Sequence, residues 1–298
     1  MSLPLYDFQQ VFQVPDFVVR LRCVRRKGFA LSVEPRHRHS CAACAEVWVE
    51  PTLGDTVEPD PELTALYDLP LAFAAQMWLL VAFLLAFGVK APIWPLHTWL
   101  PDAATEAPSS QAAYLSGVVD KVGTFGMVAL VLPLFPDATQ RFAPVVVTLA
   151  VISVLYGGLL AIGQTDIKRI IAFSSISHFG VIVLGIFALT SQGTSGSTFY
   201  MVSHGLSTAA LFIVGGFLIA RRGSRRLADF GGVQKPAPIL AGFMLVAGLS
   251  GLAMPGLATF VSEFLVLVGT FSRYQVAAAL ATFGIVLAAL YILIMYQR

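Results

Sequence analysis

The sequence is short of charge and almost without cysteine. Only 12% of its residues are charged while 57% are apolar, with a mean hydropathy of +0.77. Soluble domains hold about a quarter charged residues. That balance excludes an ordinary soluble domain and points to a polytopic membrane protein. The three cysteines, Cys23, Cys41 and Cys44, all fall within the first 44 residues, so the rest of the chain has no disulfide framework. The formal net charge of +2 is small and dispersed, and no lysine or arginine stripe is interleaved with aromatics, which sets nucleic acid aside as a partner. Phosphate loop, dinucleotide fingerprint and nucleophile elbow are all missing, so no redox cofactor is expected in this chain. The N-terminus lacks a basic region followed by an apolar core and a small-residue cleavage site, so insertion is expected to rely on the spans themselves.

What is present divides in two. Residues 1–68 are mixed and polar, with Arg20, Arg22, Arg25, Arg26 and Lys27 clustered and Pro51, Pro59 and Pro61 among acidic residues, and are expected to be poorly ordered. His37, His39, Cys41 and Cys44 have zinc-ligand chemistry, but the spacing is too compressed for a finger and no metal site is expected. From residue 69 the chain reads as an all-α transmembrane bundle. At ~20 apolar residues per helix, spans are expected at 71–89, 110–133, 142–163, 168–190, 196–220, 238–272 and 275–296, about seven passes. Two passes carry proline interruptions, at Ala91-Pro92-Ile93-Trp94-Pro95 and at Met254-Pro255-Gly256, and broken helices at membrane depth line cavities. Lys168, Arg169, Arg221, Arg222, Arg225, Arg226, Lys235 and Arg298 fall on one side, Arg141 and Arg273 on the other; the first side is assigned as cytoplasmic.

Ionisable groups recur in or beside the apolar runs, and each is a functional candidate with a bland competitor. Lys121 lies near the middle of its span, where snorkelling has furthest to go, and function is favoured. Lys90 reads as a snorkelling helix end unless the break makes that end an interior. Asp120 adjoins Lys121, but neighbours i and i+1 on a helix do not face each other, so the two are not a ready-made ion pair. His178, among Ser174, Ser175 and Ser177, fits a proton relay or interhelical packing glue, and His204, beside Gly205, has the same two readings. Glu263 lies eight residues beyond Pro255, on the second half of an interrupted helix whose start favours a carboxylate. His97, just past the first break, fits a relay or a structural hydrogen-bonder. Asp166, at a helix start, reads as a dipole partner.

The string Lys90-Ala91-Pro92-Ile93-Trp94-Pro95-Leu96-His97-Thr98-Trp99-Leu100-Pro101-Asp102-Ala103 resembles the signature of the antiporter-like membrane subunits of proton-pumping NADH:quinone oxidoreductase, respiratory complex I. Gln164 to Arg169, Ser177-His178-Phe179-Gly180, Ser203 to Ser207 and Gly256 to Phe264 resemble the same family in the expected order. Glu263, where relatives carry lysine, and Val118-Val119-Asp120-Lys121 resemble the subunit M branch, with subunit L and the Mrp sodium/proton antiporters as runners-up. The resemblance covers about residues 69–298. It implies a proton relay through Lys90, Lys121, His178, His204 and Glu263, coupled to quinone reduction elsewhere in the complex, with His97 and Asp120 secondary. It also implies that NADH, flavin, iron–sulfur clusters and quinone belong to other subunits, that the partners are neighbouring antiporter-like subunits and the lipid bilayer, and that the location is the bacterial plasma (inner) membrane.

The family fold holds inverted five-helix repeats, and this chain matches the second repeat and the tail of the first, without the helix whose glutamate pairs with the lysine at Lys90 or the last helix beyond Arg298. Residues 1–60 are accordingly expected to come from a shifted reading frame, a fusion or a wrongly assigned start. Two alternatives are an Mrp-type cation/proton antiporter, with Glu263 and Asp120 as sodium ligands, and a truncated, non-pumping structural fragment.

Overall fold

The computed structural model describes residues 8–14, 17–23, 45–51, 67, 69 and 71–297; His37, His39, Cys41 and Cys44 lie outside them. In the polar segment the backbone forms a three-stranded antiparallel sheet of β1 (Phe8–Val14), β2 (Phe17–Cys23) and β3 (Ala45–Pro51), ordered β1-β2-β3. This sheet lies outside the residues 69–298 for which the all-α bundle is expected, and its sequence signal is the alternation of Val19 and Leu21 with Arg20 and Arg22.

From residue 73 onward the named elements of the described chain are helices joined by short loops. The helices are α1 (Phe73–Lys90), α2 (Trp99–Glu106), α3 (Ser109–Leu134), α4 (Pro136–Ile162), α5 (Ile167–Phe187), α6 (Ser191–Arg222), α7 (Pro238–Gly251), α8 (Ala258–Phe271) and α9 (Gln275–Gln297). Six of them, α1, α3, α4, α5, α6 and α9, are long and apolar enough to cross a membrane. The shorter pair α7 and α8 replaces the single expected span at 238–272, and counting that pair as one crossing recovers seven. Helix α4 begins six residues before the expected start because its first turn, Pro136 to Arg141, is polar and escaped an apolar window; Pro136 opens it with a preset φ.

Helix α5 is the hub of the bundle. All of its residues from Ile170 to Phe187 are buried, so it has no lipid face, which is why its sequence is apolar all round. Glycines let its neighbours approach: a Cβ on Gly180 would meet Ala150 O and Val154 N at 2.8 Å, and one on Gly157 would meet Ser177 N at 2.7 Å. Asp166 caps α5 by accepting hydrogen bonds from the backbone amides of Lys168 (2.8 Å) and Arg169 (3.3 Å), as its position at a helix start implied.

The basic ends gather where the charge pattern puts them. Arg169 bonds Asp102 (3.2 Å), Arg225 Nε lies 3.4 Å from Asp166, and Lys168 Nζ donates to Ala107 O at 2.7 Å. Loops after α2, α4 and α6 therefore meet at one face of the bundle. At the opposite face Thr190 donates to Gly269 O at 3.1 Å, joining the start of α6 to the end of α8.

Both proline breaks have their exposed backbone groups answered. After α1, Ala91 N donates to Phe87 O (2.7 Å), the Trp99 indole donates to Val89 O (2.8 Å) and Trp94 N reaches Ser153 Oγ (3.3 Å). Between α7 and α8, Thr259 donates to Ser250 O (2.6 Å) and Met254 N to Leu249 O (3.2 Å). Carbonyls that would otherwise be orphaned in hydrocarbon are thus paired within the protein.

Candidate functional site

Helix α3 carries the two charges of its span on an irregular backbone. Five-residue π-helical turns at Leu115–Val119 and Met127–Val131 bracket a six-residue α segment, Lys121–Gly126, with Asp120 at its start. Such wide turns inside helices are frequent at functional sites. Asp120 is fully buried and neither of its carboxylate oxygens has a hydrogen-bond partner among the described residues; the hydroxyl of Ser116, four residues earlier, is also buried and unpartnered. Half-buried Lys121 donates from Nζ to Ser116 O and holds its ammonium 4.6 Å from the centre of the Phe179 ring. Lysine and aspartate thus form no direct hydrogen bond although adjacent, as their helical spacing implied.

The end of α1 comes to the middle of α3 rather than to a membrane surface. A Cβ added at Gly123 would lie 2.6 Å from both Phe87 O and Ala91 N, so the segment carrying Lys90 packs directly against the residues after Lys121. Lys90 is thereby at the interior side of a break, and Asp120 interacts electrostatically with both Lys121 and Lys90.

Close to Phe179, at the adjacent residue of α5, a hydrogen-bonded row begins. His178 Nδ1 is 2.7 Å from the Tyr200 hydroxyl, and that hydroxyl donates to Glu263 Oε2 at 3.1 Å. The second ring nitrogen of His178 is 3.2 Å from the Tyr291 hydroxyl. Four side chains from α9, α5, α6 and α8 form one continuous run, Tyr291–His178–Tyr200–Glu263, and every member is buried. His204 joins by ring contact: its centroid is 5.1 Å from His178, 5.5 Å from Phe179 and 6.2 Å from Tyr200, while its Nε2 bonds Thr208 at 3.0 Å. A backbone contact allows this, because Gly205 faces Gly117 O so closely that a Cβ there would sit 2.6 Å away. His97 stands apart: it is buried, its ring meets Tyr156 at 5.2 Å, and no hydrogen bond ties it to the row.

The serines around His178 do not serve its ring. Ser174 and Ser175 donate back to Ile171 O and Ser177 donates across to Val154 O, so they close helical and interhelical contacts. Tyrosines take their place at the imidazole. Tyr200 was detectable, being four residues before His204 and therefore on the same face of α6; Tyr291 carries no local signal, since it is 113 residues from its partner. Chemically, a tyrosine hydroxyl can accept on one side and donate on the other, an imidazole does the same through two nitrogens, and a carboxyl ends such a run. The run can carry a proton by successive exchange, and the aromatic-held ammonium of Lys121 lies at its flank.

A sequence model of the family described as "NADH:quinone oxidoreductase/Mrp antiporter, TM" matches residues 59–288. The chain belongs to this family. The match begins ten residues before the expected start at 69, inside the polar segment. Among its relatives, NADH-quinone oxidoreductase subunit M of Mycobacterium tuberculosis is 59% identical over 220 residues, 74% of this chain and 40% of that protein. The Rickettsia prowazekii subunit M is 43% identical over 224 residues, covering 75% and 46%. In three dimensions the chain is similar to respiratory complex I from Thermus thermophilus, with a TM-score of 0.74 and 35% identity over 76% of this chain and 49% of that one. It is similar too to the Mrp complex of a Dietzia species, with a TM-score of 0.70 and 28% identity over 75% and 41%. The chain spans less than half the length of these relatives. Its membership of the family and its six apolar spans make it a multi-pass membrane protein.

Proposed function

We propose that this chain is a subunit M-type membrane component of a bacterial proton-translocating NADH:quinone oxidoreductase, located in the plasma membrane. It moves protons through Lys90, Lys121, His178, His204 and Glu263 while redox chemistry proceeds on other subunits, which hold NADH, flavin, iron–sulfur clusters and quinone. Its neighbours are other antiporter-like subunits of the complex.

The observation that carries this reading is the unbroken run from Tyr291 through His178 and Tyr200 to Glu263, buried between helices and ending on a carboxyl of the second broken helix. Charge leaves or reaches Lys90 at the first break, Asp120 balances Lys90 and Lys121, and the proton passes from Lys121 to the histidines and then by way of Tyr200 to Glu263. Proton transfer between positioned groups requires hydrogen-bond reach first, and the 2.7 and 3.1 Å steps at Tyr200 supply it. No direct hydrogen bond joins Lys121 to the histidines among the described residues, and water beside the Phe179 ring would complete the path there.

A second reading is favoured by one feature. Buried Asp120, with two unpartnered oxygens beside the unpartnered hydroxyl of Ser116, has the oxygen chemistry of a sodium ligand set, and an Mrp complex is among the similar structures. The two readings part on sodium. In vesicles carrying the assembled complex, NADH-driven acidification that is unchanged when sodium is replaced by choline supports the proton relay; acidification that requires sodium rejects it in favour of the antiporter.

A further inference from the structure

Helix α6 is too long for the bilayer it crosses. Its 32 residues reach roughly 48 Å at 1.5 Å per residue, against ~30 Å of hydrocarbon, so its last turn stands at headgroup depth on the basic face. That turn ends in Arg221 and Arg222, closed by Gly223 in the left-handed conformation at φ 71°. Neighbouring Arg169 and Arg225 are engaged with Asp102, Asp166 and Glu106, whereas exposed Arg221 and Arg222 form no ion pair among the described residues.

Both free arginines line a cavity of about 210 Å³ between the end of α6 and the start of α7. Its deep side is apolar, with Leu218, Phe230 and Val233, and these three also wall a second void of about 50 Å³ that continues towards Met244 and Met295 in the bundle. The one acidic side chain in the wall, Asp229, accepts a hydrogen bond from Ser224, so the lining keeps a net positive charge of one from two arginines and one aspartate. Beside the cavity, Phe217 on α6 and Ile239 and Phe243 on α7 are 56%, 76% and 61% exposed, as side chains that face acyl chains are.

We infer that this cavity binds the phosphate headgroup of an anionic phospholipid, with Arg221 and Arg222 on the phosphate and an acyl chain along Leu218 and Phe230. Two unpaired guanidiniums above an apolar floor, at headgroup depth and open to a lipid-facing surface, complement the two halves of such a lipid in the order in which the membrane presents them. A free phosphate would use the arginines alone and leave the apolar floor without a role. The inference stands whether or not the proton relay is correct.

The test uses the full chain in its complex, purified and placed in nanodiscs of phosphatidylcholine with or without phosphatidylglycerol, with bound lipid read by native mass spectrometry. Retention of phosphatidylglycerol is expected, and the double variant Arg221→Gln/Arg222→Gln is expected to weaken it about thirtyfold, at roughly 1 kcal/mol for each basic residue near the surface. Leu240→Trp, which fills the cavity and leaves both charges, is expected to abolish retention as well, while Arg226→Gln, outside the cavity, leaves it intact. Equal retention by wild type and the double variant overturns the assignment. So does displacement of the lipid by millimolar inorganic phosphate, which would make the site one for free phosphate.

Discussion

Tyr200 donates its hydroxyl hydrogen to Glu263 across 3.1 Å, joining α6 to α8 between residues 63 positions apart in sequence. The same oxygen is 2.7 Å from His178, so one hydroxyl is the joint between an imidazole and a carboxyl that do not otherwise touch by hydrogen bond.

Replacing that joint is the sharpest test of the relay. Tyr200→Phe keeps the ring and removes the hydroxyl, leaving two buried polar groups unpaired at a cost of about 1–3 kcal/mol. NADH oxidation by the complex is expected to continue while proton translocation falls by on the order of a hundredfold, in line with the loss of a positioned proton-transfer group. Proton-to-electron ratios in reconstituted vesicles measure it; an unaltered ratio removes Tyr200 from the path.

Lys121→Ala deletes the ammonium that sits over Phe179. A charge in mid-membrane costs ~2.5–3.5 kcal/mol, so assembly is expected to be no worse, and thermal stability of the complex no lower, than in the parent. Translocation is expected to vanish. Unchanged translocation in vesicles would refute the role given to this lysine.

Gly123→Ala tests the meeting of α1 and α3 without touching a titratable group. The new methyl would have to displace Phe87 O and Ala91 N, both backbone atoms, costing about 1–3 kcal/mol. Because that movement pushes Lys90 away from Asp120, translocation is expected to drop together with a lowered melting temperature. Full activity in a protein of parental stability would show that Lys90 need not stand against α3.

Gly256 has φ 99°, in the break between α7 and α8, where a side chain is strained but no neighbour lies within 4 Å. Gly256→Ala is expected to lower stability by about 1–3 kcal/mol through backbone strain alone. Thermal denaturation in detergent measures it, and an unchanged midpoint would mean that the break adopts another backbone conformation at no cost.

Much of this architecture was legible because its signals are local. Apolar runs of membrane length, prolines at 92 and 255 and the loop charges on alternate sides each depend on a few consecutive residues, and the helices and the basic face follow them. Polar contacts across the bundle were less legible. Hydroxyls at Ser174, Ser175 and Ser177 looked like partners for His178, yet a helical serine one to four residues away reaches its own or a neighbouring helix's carbonyls more readily than it reaches that ring. Tyr291 comes from the far end of the chain, and nothing in Ala288 to Ile294 distinguishes it from packing. The wide turns of α3 carry no composition signal either, since Leu115–Val119 and Met127–Val131 would suit a regular helix.

Those wide turns give α3 a geometric property. Each holds one more residue than a regular turn, so the helix beyond it is set out of phase by about one residue, roughly 100°. Lys121–Gly126, caught between two such turns, is offset from the regular helical phase of the stretch before it and of the stretch after it. One continuous span thereby presents three separately phased faces, and the lysine turned towards Phe179 belongs to the middle one.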